Sequence, residues 1–145
     1  MTATATNVDT AIDSSWQRTA RLGIGADAAA SGALSLLLLA SASGLDSALG
    51  IGYPVLLGLA AVLMAWAVEL GWTLRRLFIS PAALRGVIAF NAIWVVASAV
   101  VVAAGWDGRT ALGTAFVVFQ ALAATGFTLI QVKAFMASGG PHRLG

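Results

Sequence analysis

Four stretches of nearly unbroken apolar character fill most of this 145-residue chain, and each is long enough to cross a bilayer. Centred on their apolar middles, they run over residues 22–43, 52–74, 82–104 and 111–132. An α-helix rises ~1.5 Å per residue, so about 20 residues cover the hydrocarbon core. Lipid offers no partner to a free backbone N–H or C=O, so such segments fold as helices that satisfy their own backbone. The expected class is all-α: a polytopic membrane protein with four transmembrane helices.

Composition supports that class and removes several functions. Hydrophobic residues make up 59% of the chain and charged residues 10%, against about 25% charged in soluble domains. The net charge of +2 comes from cations beside the apolar segments. They form no basic stripe, so no nucleic-acid partner is expected. The absence of cysteine excludes disulfides, thiolate metal sites and iron–sulfur clusters. The single histidine, His142, lies in the C-terminal tail, so no span offers an imidazole to haem, copper or zinc. No cofactor is expected. No nucleophile–base pair stands out either, which argues against an enzyme.

Residues 1–17 are polar and rich in Thr, Ala, Ser and Asp, and are expected to form a flexible tail. Residues 18–136 hold the four spans, and residues 137–145 form a second tail that begins near Gly139-Gly140-Pro141. Ala40-Ser41-Ala42 after a leucine run also resembles a signal-peptidase site, although the long leader and Asp27 argue against cleavage. Gly44-Leu45-Asp46-Ser47 and Trp106-Asp107-Gly108-Arg109-Thr110 carry turn and capping chemistry. Ser80-Pro81 suits an N-cap followed by the first helical position. Links this short make consecutive helices antiparallel neighbours, which predicts an up-down four-helix bundle.

Arg18, Arg21, Arg75, Arg76, Arg85, Lys133 and Arg143 fall at one end of the predicted bundle, and Arg109 at the other. The positive-inside rule then places both termini in the cytoplasm. Tyr53 and Trp106 would mark the outer interface, and Trp16 and Trp72 the inner one.

Each span also shows a small or polar stripe at helical spacing. The first has Gly23, Asp27, Ser31 and Ser35; the second Gly58, Ala61, Ala65, Glu69, Thr73 and Arg76; the third Asn91 and Ser98; the fourth Gly113, Gln120, Ala124, Thr128 and Gln131. Membrane helices associate through small residues and polar contacts, so the stripes read first as packing seams. Their ionisable members ask for more, because a carboxylate at a helix centre costs about 2.5–3.5 kcal/mol to insert. Depth counting places Asp27, Glu69, Asn91 and Gln131 at one level near the basic end, with Gln120 nearer the midplane, where it is expected to hydrogen-bond between helices. The cluster is either a functional polar site or a set of structural pairs. In the second case Glu69 would pair with Arg75 or Arg76, and Asp27 with Arg21 or with Asn91. Trp66 and Trp94 lie mid-span and read first as fillers of gaps between helices; with Phe116 and Phe119 they are also the candidate outward rows for association.

Ala26-Asp27-Ala28-Ala29, the run from Phe90-Asn91 through Trp94 to Ser98, and the Gln120-bearing fourth span together resemble a group of small four-helix integral membrane proteins of bacteria. That resemblance implies a bundle in the bacterial inner membrane and carries no assigned activity. The chain departs from the small multidrug transporters, which are expected to carry an essential glutamate in the first helix; here that helix has Asp27, and the glutamate is in the second. Two functions remain. The chain is an accessory or scaffold component that assembles with itself or a larger membrane complex, or it is a proton- or cation-coupled carrier that uses Asp27 and Glu69 as a dimer.

Overall fold

The computed structural model describes the backbone of residues 3–105 and 108–139 and the side chains of residues 15–105 and 108–139. Four helices follow in order: α1 (Ala3–Leu49), α2 (Tyr53–Arg75), α3 (Pro81–Ala104) and α4 (Ala111–Ala137). All four are long and apolar enough to cross a membrane. They pack as a bundle in which α1 lies against α2 and α4, and α3 lies against α4. α2 and α3 approach less closely and meet at the stacked rings of Trp66 and Phe90, 3.8 Å apart. The chain is therefore a multi-pass α-helical membrane protein.

α1 is longer at both ends than the sequence reading allowed. It is helical from Ala3, through most of the polar leader expected as a tail. Trp16 is buried and meets the Phe78 ring edge-on, whereas Trp72 is exposed. The Gln17 side-chain amide donates to the Ile79 carbonyl (2.9 Å) and accepts from the Ile79 N–H (3.1 Å). These contacts fold the α2–α3 link over α1 and satisfy a buried backbone unit.

The other end of α1 passes straight through Gly44-Leu45-Asp46-Ser47 and stops at Leu49. Gly50, at φ 63°, ends it, and the Ile51 N–H reaches back to the Asp46 carbonyl at 3.2 Å. That pattern is a Schellman stop, which needs a left-handed residue just past the helix and outweighs the turn-like composition upstream. At the far terminus Ser138 and Gly139 leave α4 in a turn; residues 140–145, with His142, lie outside the described residues, as do Trp106 and Asp107.

Caps and cations lock the ends. Ser80 caps α3 by accepting from the Ala83 N–H, with Pro81 following, as its sequence predicts. Thr110 caps α4 by accepting from the Gly113 N–H (3.1 Å). Its own hydroxyl and N–H donate to the carbonyls of Ala48 (2.7 Å) and Leu49 (3.1 Å), tying the α4 start to the α1 end. The Arg21 guanidinium donates to the carbonyls of Leu74, Arg76 and Leu77, and Arg109 donates to those of Val101 and Val102. Each cation thus sits on the negative, carbonyl-rich end of a neighbouring helix.

The interior divides into two apolar clusters. Trp16, Ala20, Ile24, Leu70, Ile79, Leu84, Val87 and Ala134 fill the end rich in arginine. Leu38, Ala42, Leu49, Leu56, Ala60, Leu63 and Val117 fill the end that holds Gly50. In sequence order along α1, α3 and α4, the polar residues Asp27, Asn91 and Gln131 fall between them.

The seam of α2 keeps Thr73 of the expected stripe but not its glycine and alanines. Gly58, Ala61, Ala65 and Glu69 are exposed, and the buried row is Leu56, Ala60, Leu63, Leu70 and Thr73. α1 supplies the small partners: a Cβ on Gly32 would touch Ala67, and one on Gly25 would touch Leu74. Close approach needs a small residue on only one of two facing helices, so Leu74 can seat against Gly25, while Gly32 faces the small Ala67.

Candidate functional site

Asp27 is 3% exposed and stands on the inward face of α1. Its Oδ2 accepts from Asn91 Nδ2 at 2.6 Å and from Gln131 Nε2 at 3.3 Å, and its Oδ1 accepts from Ser31 Oγ at 3.2 Å. Asn91 Nδ2 also donates to Gln131 Oε1 at 3.2 Å, which closes a ring among α1, α3 and α4. Asn91 and Gln131 are buried with it. The spacing along each helix brings this about: Asp27 and Ser31 share a face at i and i+4, and Asn91 and Gln131 lie at the matching depth on antiparallel neighbours.

Every partner of that carboxylate is neutral. Among the described residues no carboxylate lies within 4.0 Å of a basic nitrogen. Arg21, one expected partner of Asp27, is committed to the α2 carbonyls, whereas Asn91, the other, is in place. Glu69 does not join the ring. It is exposed and lines a groove between α2 and α3 with Trp66, Thr73, Arg76 and Ser80. The anticipated Glu69–Arg76 pair assumed a helix that runs seven residues further, but α2 ends at Arg75 and Arg76 turns to extended backbone. Of the four residues expected at one level, three converge.

A cavity of about 320 Å³ adjoins the ring and is lined from all four helices. Asp27, Ser31 and Asn91 form its polar side, and Trp66, Phe90, Trp94 and Phe116 its aromatic walls. Trp66, Phe90 and Trp94 stack in sequence, each pair inclined by 18°. Trp66 and Trp94 thus fill space between helices, as first read, and not an outward row; Phe116, expected on an outward row, is half-buried in the same wall. Trp66 falls between Leu63 and Leu70 on the buried face of α2. Only Phe119 is exposed, at the cavity rim with Leu37.

Two buried polar atoms on this wall have no hydrogen-bond partner, Trp66 Nε1 and Gln120 Oε1. Gln120 was expected to bridge helices; its oxygen instead borders the cavity. Phe90 gave no signal of its own in the sequence beyond lying next to Asn91. Chemically, the arrangement can hold a proton on Asp27 or place a cation against it, with the amides of Asn91 and Gln131 fixing the carboxylate.

Comparison with protein-family models, with characterised proteins and with solved structures finds no match. The fold and this ring define a class, a four-helix membrane bundle with an ionisable centre, and the chain's own geometry carries the functional reading.

Proposed function

We propose that the protein is a small non-catalytic carrier that binds a proton or another monovalent cation at Asp27. The observation that supports this most is the buried carboxylate held by three neutral donors and no cation beside a cavity. An ionisable group inside a membrane is costly and commonly marks a pathway or relay. Of the two acids first considered, only Asp27 belongs to this centre. Arg21 is bound to carbonyls and Glu69 is exposed in the α2–α3 groove, and the partners of Asp27 are the Ser31 hydroxyl and the amides of Asn91 and Gln131. In proteoliposomes carrying a pH gradient, the native chain should dissipate the gradient and Asp27→Asn should not. Equal leak from both would sink the reading.

A second reading is favoured by α2. Its outward row of Gly58, Ala61 and Ala65 presents small residues, and Gly58 has open space around it. Such a row allows close helix approach to a second copy or to a larger membrane complex. The chain then acts as an accessory component, or as a carrier that works as a homo-oligomer. Because it has no cysteine, Gly58→Cys should cross-link copies in the membrane if this row is the contact.

The location proposed is the bacterial inner membrane, with both termini cytoplasmic, since Arg18, Arg21, Arg75, Arg76, Arg85 and Lys133 gather at one end. A cysteine placed at exposed Ser47 should label from outside, and one at Leu77 only after permeabilisation. The reverse pattern would invert the orientation.

A further inference from the structure

We propose that the cavity beside Asp27 is a binding site for a lipophilic organic monocation with an aromatic portion. This rests on the reading of Asp27 as a cation-binding group and names the class of ligand. The first support is charge: among the described residues, Asp27 is the only ionisable one on the cavity wall. The second is the walls, because Trp66, Phe90, Trp94 and Phe116 bring aromatic rings into the same chamber as the carboxylate. An aromatic face carries negative potential, so a cage of rings with one carboxylate favours a diffuse cation over an anion or a neutral molecule. Third, Gln120 Oε1 is a buried acceptor without a donor, which favours positive charge over an anion, while Trp66 Nε1 on the same wall is a donor without an acceptor.

Size and access fit the same occupant. A cavity of about 320 Å³ is at the lower end for small-molecule pockets, which suits a single-ring ligand. Leu37 and Phe119 stand at its rim and are 55% and 74% exposed on the lipid-facing side of the bundle. A ligand dissolved in the bilayer can reach the chamber past them. The parallel rings of Phe90 and Trp94 offer a wall on which its aromatic part can lie, with the cationic head toward Asp27.

The test uses the full chain in detergent with benzyltrimethylammonium and its uncharged carbon isostere, neopentylbenzene. Binding is followed by calorimetry and by fluorescence of the cavity tryptophans. The charged probe should bind at least about tenfold more tightly than the neutral one, and Asp27→Asn should remove that preference. Trp94→Leu should weaken the charged probe more than the neutral one, which a purely structural tryptophan would not do. Equal affinity for the two probes, or no binding of either, overturns the proposal even if Asp27→Asn fails to fold. A chain that takes up a proton at Asp27 yet ignores both probes overturns the organic-cation site and leaves the proton reading standing. Preferential binding of the cation with no change on Asp27→Asn would also overturn it, since the carboxylate would then play no part.

Discussion

Replacing Asn91 with leucine should destabilise the bundle by about 3 kcal/mol, the largest loss expected from any single change in the polar ring. Asn91 provides the shortest hydrogen bond to Asp27, at 2.6 Å, and a second to Gln131 at 3.2 Å. Hydrogen bonds to a charged group are worth about 1.5–3 kcal/mol each, more than the roughly 0.6 kcal/mol average for neutral pairs between membrane helices. Leucine removes both bonds and leaves the buried carboxylate with only the longer contacts from Ser31 and Gln131. Gln131→Leu should cost less, because its bond to Asp27 is 3.3 Å long. Ser31→Ala should cost least, since the 3.2 Å hydroxyl contact lies within one helix. The Asp27→Leu/Asn91→Leu pair should recover much of the loss, because removing both partners also removes the orphaned charge. Reversible unfolding in mixed micelles of these four variants and of Asp27→Leu alone gives the values. Strict additivity in the double variant would show that the two side chains are not coupled.

Gly113→Ala should cost about 2–3 kcal/mol, against a neutral or slightly stabilising Gly126→Ala on the same helix. A Cβ at Gly113 would overlap the carbonyl oxygen of Leu49, which is backbone and cannot rotate away. The end of α1 and the start of α4 would have to separate, and the Thr110 bonds to Ala48 and Leu49 would stretch with them. Gly126 has open space instead, so alanine there only gains helix propensity. Thermal unfolding of the two variants should shift in opposite directions or leave Gly126→Ala unchanged. A tolerated Gly113→Ala would mean that the two helix ends are not in contact.

Much of the fold was legible because a bilayer leaves a chain few choices. The spans and the Ser80-Pro81 start followed from length, hydropathy and capping chemistry, and the structure has all of them. Asp27, Asn91 and Gln131 were also brought together by depth counting alone, because antiparallel helices of known rise fix which residues share a level. The rotation of α2 was not legible. Alanine and glycine occur on several of its faces, and the glycines of α1 that approach α2 face Leu74 and Ala67, neither of them in the expected stripe. That one rotation moved Glu69 out of the site and Trp66 into it. The extent of α1 was hidden for a different reason. Gly44-Leu45-Asp46-Ser47 has turn composition, but a helix stops where a positive φ and a carbonyl partner coincide, and both occur at Gly50.

The account stands on Asp27 being an ionisable centre that changes state in the folded bundle. Infrared difference spectroscopy of the native chain, titrated across the pH range in which it stays folded, reads that change as a carboxyl band that appears on acidification. Asp27→Asn should lack this band while keeping its helical amide signal, and Glu69→Gln should retain it. A spectrum in which the band is unaffected by Asp27→Asn, or in which no buried carboxyl titrates at all, would contradict the account.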